Sequence, residues 1–275
     1  MLSPLLREKE KMLVSKLKSL SSVAIAFSGG IDSSLLLWLS HKYLGRKHTL
    51  ALTIDAPSQA RRELAASKAF CKQYGIEQEF LQLDNLAVIQ RQGNNEQRCY
   101  FCKRYLFSSI KQFAQQKGFV FVAEGTNKDD EGDFRPGQKA LVELSILSPL
   151  KQVGMTKDEI RSLARYYGLA NWNKAAQACL VTRFPYHVEI TPKALQQIEA
   201  AEDFIISLGF SLCRVRHLGE KIALIEVLPP ELAKIQYLST KINRFLRELG
   251  YLKIIIAKDG YQKGRMDRLS LAPFS

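Results

Sequence analysis

The chain has 275 residues, 46% hydrophobic and 24% charged, the make-up of a packed globular protein with room for one large and one small domain. No apolar run approaches the ~18 residues of a membrane span, and the Lys/Glu-interleaved start lacks the apolar core of a signal peptide, so a cytoplasmic protein with no membrane partner is expected. The net charge of +13, from 40 basic and 27 acidic residues, favours anionic partners such as ATP, a phosphorylated metabolite or RNA, and an odd count of five cysteines argues against a disulfide framework.

Residues 23–27 (VAIAF) form a short, wholly apolar run, as a buried parallel strand requires. A Ser-Gly-Gly turn follows, then a Leu-rich helix over 34–43 stopped by Gly45. Strand 49–54, helix 59–74 and strand 79–83 come next, then helix 100–117 and a fourth apolar strand at 119–123 (FVFVA). Strands alternating with helices at this spacing predict an α/β fold with a doubly wound parallel sheet. Residues 128–137 (KDDEGDFRPG) read as a polar loop, and 156–167 as a helix opened by a capping box, Thr156 with Glu159. From Thr191 the pattern becomes α-β-β-α-β: helix 192–208, strands at 212–215 and 222–227, helix 230–249 and strand 252–257. That order predicts a smaller C-terminal α+β domain with a split, partly antiparallel sheet. The expected domains are 1–187 and 188–275.

Ser28-Gly29-Gly30-Ile31-Asp32-Ser33-Ser34 directly follows the first strand and opens the first helix of the sheet. The glycines permit positive φ and close approach to an anion; the helix start supplies N–H groups and partial positive charge, and the serines add donors. Such a loop cradles phosphate at the carboxyl end of a parallel sheet. It is not a Walker A loop, whose spacing and lysine are absent. Asp32 would repel phosphate on its own, so it acts through Mg2+ or orients the loop.

A strand followed by SGG-x-D-S-S resembles the PP-loop ATP pyrophosphatases, whose fold is that of the adenine nucleotide alpha hydrolases. They split ATP into AMP and pyrophosphate and use the AMP to activate an oxygen for displacement by nitrogen or sulfur. The resemblance implies that Ser28, Gly29, Gly30, Asp32, Ser33 and Ser34 hold the pyrophosphate half, that Gly125 shares in binding the nucleotide, and that Thr53 and Ile54 line the adenine site.

Cys99 and Cys102 form a C-x-x-C pair (RCYFCK) at a helix start, where the macrodipole with Arg98, Lys103 and Arg104 favours thiolate. Cys179 lies in ACLVTR, a loop that also carries Arg183. Two cysteines from a C-x-x-C and a distant third could hold three irons of a 4Fe–4S cluster and leave the fourth iron for an extra sulfide. Alternatively the cysteines are buried small hydrophobes, the reading that suits Cys71 and Cys213.

SGGIDSS, RCYFCK, EGTN (Glu124 to Asn127), GDFRPG (Gly132 to Gly137), SPL (Ser148 to Leu150), ACLVTRFPY (Ala178 to Tyr186), RVRH (Arg214 to His217) and DGY-x-x-G (Asp259 to Gly264) occur in that order. The succession, covering nearly the whole chain, is similar to the LarE family, sulfur transferases that mature the nickel-pincer cofactor of lactate racemase. The resemblance implies adenylation of a pyridinium dicarboxylate mononucleotide and conversion of each carboxylate to a thiocarboxylate. One branch sacrifices the sulfur of the cysteine at position 179. The other keeps C-x-x-C as well and uses an iron–sulfur cluster; Cys99, Cys102 and Cys179 favour that branch here. Asn171-Trp172-Asn173-Lys174-Ala175-Ala176 departs from the usual Trp-Asp-Lys-Pro run, and Gln177 stands where serine is common.

Arg214 and Arg216 alternate on one strand and share a face, which suits a phosphate or carboxylate. Arg183 joins them as a candidate substrate ligand, with Lys103 and Arg135 as further anion holders and Glu202 or Asp203 as a base or metal ligand. The expected cofactors are ATP, Mg2+ and the 4Fe–4S cluster. The expected partners are a small anionic nucleotide, sulfide or a sulfur donor, and further copies of the chain, and nucleic acid is not expected among them. A tRNA thiolase of the PP-loop type and a nucleotide sensor without turnover are the competing readings.

Overall fold

The computed structural model describes residues 2–130, 136–175, 178–219 and 221–266. The chain divides into two compact units: residues 1–88 with 97–177, and residues 89–96 with 178–275.

In the first unit the order is α1 (Pro4–Ser19), β1 (Val23–Ala26), α2 (Ile31–Leu44), β2 (Thr49–Asp55), α3 (Arg61–Tyr74) and β3 (Gln78–Gln82). Then come α4 (Asn85–Gln92), whose last turn counts with the second unit, and α5 (Arg98–Gln116), β4 (Val122–Ala123), α6 (Pro136–Glu143), α7 (Pro149–Gln152) and α8 (Lys157–Tyr166). The four strands are parallel in the order β3-β2-β1-β4. Val23 and Ile25 of β1 face a core built from α1, α2 and α8 through Leu13, Leu17, Leu35, Leu39 and Ile160. Ala24 faces the opposite side, where Leu50, Leu52, Phe107, Ile110 and Leu141 pack. A strand buried on both faces must be apolar throughout, which is why VAIAF lacks alternation. The strand order reverses between β1 and β4, and ligands of open α/β sheets bind at the carboxyl ends of strands at such a reversal.

Several elements depart from the sequence expectation. Of FVFVA, only Val122 and Ala123 pair with β1. Phe119 instead donates its N–H to Ala114 O and closes α5, while Val120 is exposed. Helix α5 starts at Arg98, which brings Cys99 inside the helix. Pro136 opens α6, and the polar loop ahead of it forms a 3-10 turn at Lys128–Asp130. The capping box on α8 forms in both directions, with Thr156 Oγ1 accepting from Glu159 N–H and Glu159 accepting from Thr156 N–H.

The second unit contains α9 (Pro192–Ser207), β5 (Cys213–His217), β6 (Ile222–Val227), α10 (Leu232–Tyr237), α11 (Ser239–Glu248) and β7 (Lys253–Ile256). Its sheet has the order β5-β6-β7, antiparallel and then parallel, and is continuous rather than split. The helix expected over 230–249 is broken at Leu238 (φ −88°, ψ 3°), so that Ile235 of α10 and Ile242 and Leu246 of α11 all reach the core with Val215, Ile225 and Tyr251. Residues 89–96 join this unit through Asn94, whose Nδ2 donates to Pro185 O at 2.8 Å and Val188 O at 2.6 Å. Among the described residues no helix is long and apolar enough to cross a membrane.

Candidate active site

At the carboxyl end of β1 the chain turns through Ser28 and Gly29, the latter at φ +74°, and enters α2 from an extended Gly30. Gly30 provides no side-chain cap, which leaves the α2 start to the loop and to an anionic ligand. Ser33 Oγ donates to Gly30 O at 3.0 Å and lies 3.2 Å from Ser28 Oγ, so the two hydroxyls tie the loop across its mouth. Ser34 is fully buried, and its Oγ accepts from Asn171 Nδ2 at 2.7 Å.

Asp32 forms an ion pair with Lys157, and Asn127 Nδ2 stands 3.5 Å from its other oxygen. Burial raises the Asp32 carboxyl above its ordinary value, and the charge and hydrogen bond of Lys157 oppose that rise. Lys157 thus answers the repulsion that an acid in a phosphate loop would create. Asp129 accepts from Lys157 N–H at 2.7 Å and Asp130 from Asn127 N–H at 3.1 Å, which fixes the start of α8 beside the loop.

The segment after β4 supplies the other wall. A Cβ on Gly125 would lie 2.7 Å from Ser33 N, so this backbone rests directly on the first turn of α2. Glu124, buried, accepts from Thr126 Oγ1 at 2.7 Å and Ser148 Oγ at 2.5 Å, which ties the EGTN and SPL motifs together. Thr53 is buried at the end of β2; its hydroxyl donates to Phe27 O at 2.9 Å and accepts from Gln78 Nε2 at 2.8 Å. Ile54, next along, packs against the second core cluster of this unit. On the far side, Lys174 Nζ reaches Gly29 O at 3.3 Å and Glu63 Oε2 at 2.6 Å.

Cys99 and Cys102 sit in the first two turns of α5, both partly buried. Asn85, itself buried at the start of α4, directs Nδ2 to Cys102 Sγ at 3.4 Å and to Ser58 Oγ at 2.6 Å. Lys103 lines the seam with α6, where its stem would lie 2.6 Å from a Cβ on Gly137. Arg135, Gly132 and Gln177 lie outside the described residues. Among the described residues no group of three His, Cys, Asp or Glu side chains is arranged to hold a metal ion. Cys71 and Cys213 are core residues, and burial pushes the Cys71 thiol up to about 12.

In the second unit Cys179 begins a 3-10 turn over Leu180–Arg183. Its carbonyl accepts from Thr182 Oγ1 at 2.8 Å and Arg183 Nη1 at 3.1 Å. Arg183 is fully buried and forks onto Glu202 of α9, Nε–Oε1 2.8 Å and Nη2–Oε2 3.1 Å. Arg216 pairs with Glu226 at 2.6 Å and donates to Thr182 O at 3.0 Å. Arg265 closes the network on Glu226, Asp259 and Gly260 O. Both Arg183 and Arg216 therefore hold the Cys179 turn through its carbonyls while facing buried carboxylates. Arg214 donates to Cys213 O, and burial, then the neighbouring Arg183, lower its guanidinium to about 10. Asp203 follows Glu202 on α9 but is only partly buried. Three buried guanidiniums, those of Arg183, Arg214 and Arg216, face two buried carboxylates, Glu202 and Glu226, leaving one buried positive charge in excess that suits an anionic group.

A family model described as NAD synthase matches residues 5–117, the segment that carries the phosphate loop. An uncharacterized protein of Synechocystis is 35% identical over 94% of this chain and 99% of its own length. The pyridinium-3,5-bisthiocarboxylic acid mononucleotide synthase of Lactiplantibacillus plantarum is 33% identical, over 95% of this chain and 95% of its own. The chain belongs to the LarE family. A tRNA-specific 2-thiouridylase of Trichlorobacter lovleyi is 24% identical over 69% of this chain and 62% of its own length, a more distant relation.

In this LarE chain the sequence does not place Lys157 at the phosphate loop, nor Asn171 and Lys174, which it shows only as part of the run that departs from Trp-Asp-Lys-Pro. They stand 125 to 145 positions from the loop atoms they touch, so no local spacing reveals the contact. Glu226 and Arg265 were missed in the second unit for the same reason, 10 and 39 positions from their partners. A buried acid opposite an arginine on the neighbouring strand is the one signal that could have pointed to Glu226, since β5 and β6 pair antiparallel.

Proposed function

We propose that this LarE-family chain is an ATP-dependent, AMP- and pyrophosphate-forming sulfur transferase acting on a pyridinium dicarboxylate mononucleotide in nickel-pincer cofactor biosynthesis. The observation that carries the reading is a PP-loop seated at the strand-order reversal of a chain 33% identical over 95% of its length to a pyridinium-3,5-bisthiocarboxylic acid mononucleotide synthase. A substrate carboxylate oxygen attacks the α-phosphorus of MgATP, the bond to the bridging oxygen breaks, and pyrophosphate leaves with that electron pair. Ser28, Gly29, Gly30, Asp32, Ser33, Ser34 and Gly125 hold the departing pyrophosphate, and Thr53 and Ile54 the adenine. Arg214 and Arg216 hold the anionic groups of the mononucleotide, while Arg183, read from the sequence as a third such ligand, is committed to Glu202 and the carbonyls of the Cys179 turn and positions that turn instead. A sulfur nucleophile then adds to the acyl carbon and expels AMP, leaving the thiocarboxylate.

For the sulfur source we favour Cys99, Cys102 and Cys179 as ligands of a 4Fe–4S cluster. Cys99 and Cys102, three apart, lie on one side of the α5 start, and the Asn85 N–H directed at Cys102 is the kind of donor that supports a thiolate ligand. When bound, the cluster would deliver sulfide without consuming protein sulfur. A second reading rests on the anchored Cys179 turn, whose backbone is held by Arg183 and Thr182. There Cys179 Sγ attacks the acyl-adenylate, AMP leaves, and loss of the Cys179 Cα proton with cleavage of Cβ–Sγ yields thiocarboxylate and dehydroalanine. Anaerobic reconstitution of wild type and the Cys99→Ala, Cys102→Ala and Cys179→Ala variants tests the choice. Iron and sulfide lost together with sulfur transfer in all three supports the cluster. Activity of about one turnover in Cys99→Ala, with the mass of one hydrogen sulfide lost from the protein at Cys179, selects the sacrificial route.

A further inference from the structure

The phosphate loop carries no lysine, and its one acid, Asp32, already consumes the charge of Lys157. Loop and partner together are therefore close to neutral, while the pyrophosphate half of ATP brings several negative charges. Backbone dipoles at the α2 start answer part of that charge. A full positive charge at the loop would answer more, and a lysine from outside the motif is in position to supply it.

Lys174 Nζ lies 3.3 Å from Gly29 O, so the ammonium already stands at the rim of the loop. Its approach is built. Asn171, three residues earlier, donates to Ser34 Oγ at 2.7 Å and sits 3.4 Å from Gly29 O, which anchors the segment against the helix start. Helix α3 closes the same side, since a Cβ on Gly29 would meet Ser67 Cβ at 3.3 Å and Glu63 O at 3.5 Å. The acid that Lys174 faces is Glu63, at 2.6 Å, with side chains 21% and 13% exposed. That pair is not sealed, and Arg62 Nε stands 4.0 Å from the other oxygen of Glu63. If Lys174 turns to another anion, Glu63 keeps a cation beside it and water within reach, so the exchange leaves no buried charge unpaired.

We propose that Lys174 is the phosphate-binding lysine of this PP-loop, with Glu63 as its partner when no nucleotide is bound and Asn171 as the residue that positions the segment. The ligand is the β,γ-diphosphate portion of ATP, or free pyrophosphate, the shared chemistry being a condensed phosphate. The inference rests on the PP-loop reading. A flexible four-carbon stem with a compact ammonium suits a group that must change partners as nucleotide arrives and leaves.

Isothermal titration of ATP and of inorganic pyrophosphate into the full chain tests it, using wild type, Lys174→Ala, Lys174→Arg and Glu63→Gln. Lys174→Ala should weaken both ligands about tenfold or more, as for loss of one charge-assisted hydrogen bond. Lys174→Arg should recover most of the loss, and Glu63→Gln should bind both at least as tightly as wild type because the competing carboxylate is gone. Wild-type affinity in Lys174→Ala overturns the proposal. So does a loss in Glu63→Gln as large as in Lys174→Ala, which would make the pair structural. Wild type binding neither ligand overturns the PP-loop reading itself, an outcome distinct from both.

Discussion

Replacing Gly125 with alanine would place a methyl carbon 2.7 Å from Ser33 N, 3.1 Å from Ser33 Cα and 3.2 Å from the Asp32 carbonyl carbon. All three are backbone atoms in the first turn of α2, so no side chain can swing aside to make room. Ordinary contact begins near 3.4 Å, so the segment after β4 must retreat by about 0.7 Å or the start of α2 must tilt. Overpacking of this kind costs about 1–3 kcal/mol. The functional cost is larger, because the displaced atoms are the phosphate cradle. A misplacement near 1 Å at a reacting centre costs about 10²-fold, so a loss of some tens of fold in kcat/KM for ATP is expected. The assay is pyrophosphate release with increasing ATP, beside a urea titration of the same variant. Should Gly125→Ala keep wild-type kcat/KM for ATP and wild-type stability, the close packing of the EGTN segment on α2 would be refuted, and with it the inclusion of Gly125 in the nucleotide site.

Glu202→Ala strips the carboxylate from a fully buried Arg183 and from Val215 N–H, which it accepts at 3.0 Å, and should cost about 3–5 kcal/mol in urea unfolding; a loss below about 1 kcal/mol would show that water reaches the guanidinium. Cys71, with its thiol raised to about 12 by burial, should stay unmodified by iodoacetamide at pH 8 in the folded protein, with about one thiolate in 10⁴. Because the unfolded thiol releases its proton near 9.0 and the folded one does not, the unfolded state gains as pH rises through that window, and Cys71→Ala should remove that part of the alkaline loss of stability.

Features encoded by local chemistry were legible along the chain. A wholly apolar pentad, two glycines and a cluster of hydroxyls before a Leu-rich stretch specify a strand, a phosphate turn and a helix, because each signal acts within a few residues. Alternating strands and helices then required a parallel sheet, and the Thr156–Glu159 box marked the start of α8 to the residue. Whatever depends on which residues meet across the chain was fixed only by folding. FVFVA shortened to Val122–Ala123 because Phe119 N–H is taken by Ala114 O at the end of α5, and beyond β1 the strand meets only a single bridge at Leu147. A bend at Leu238 was set by the core that Ile235, Ile242 and Leu246 must share, not by a breaker residue. Arg183 and Arg216 read from sequence as open anion ligands; the fold gives each a buried carboxylate and a carbonyl of the Cys179 turn besides. The charge balance of the phosphate loop was likewise settled at a distance, by Lys157 and Lys174 arriving 125 and 145 positions away. Coulomb attraction and hydrogen bonds act over a few ångströms of space, and no spacing along the chain records which groups folding will bring that close.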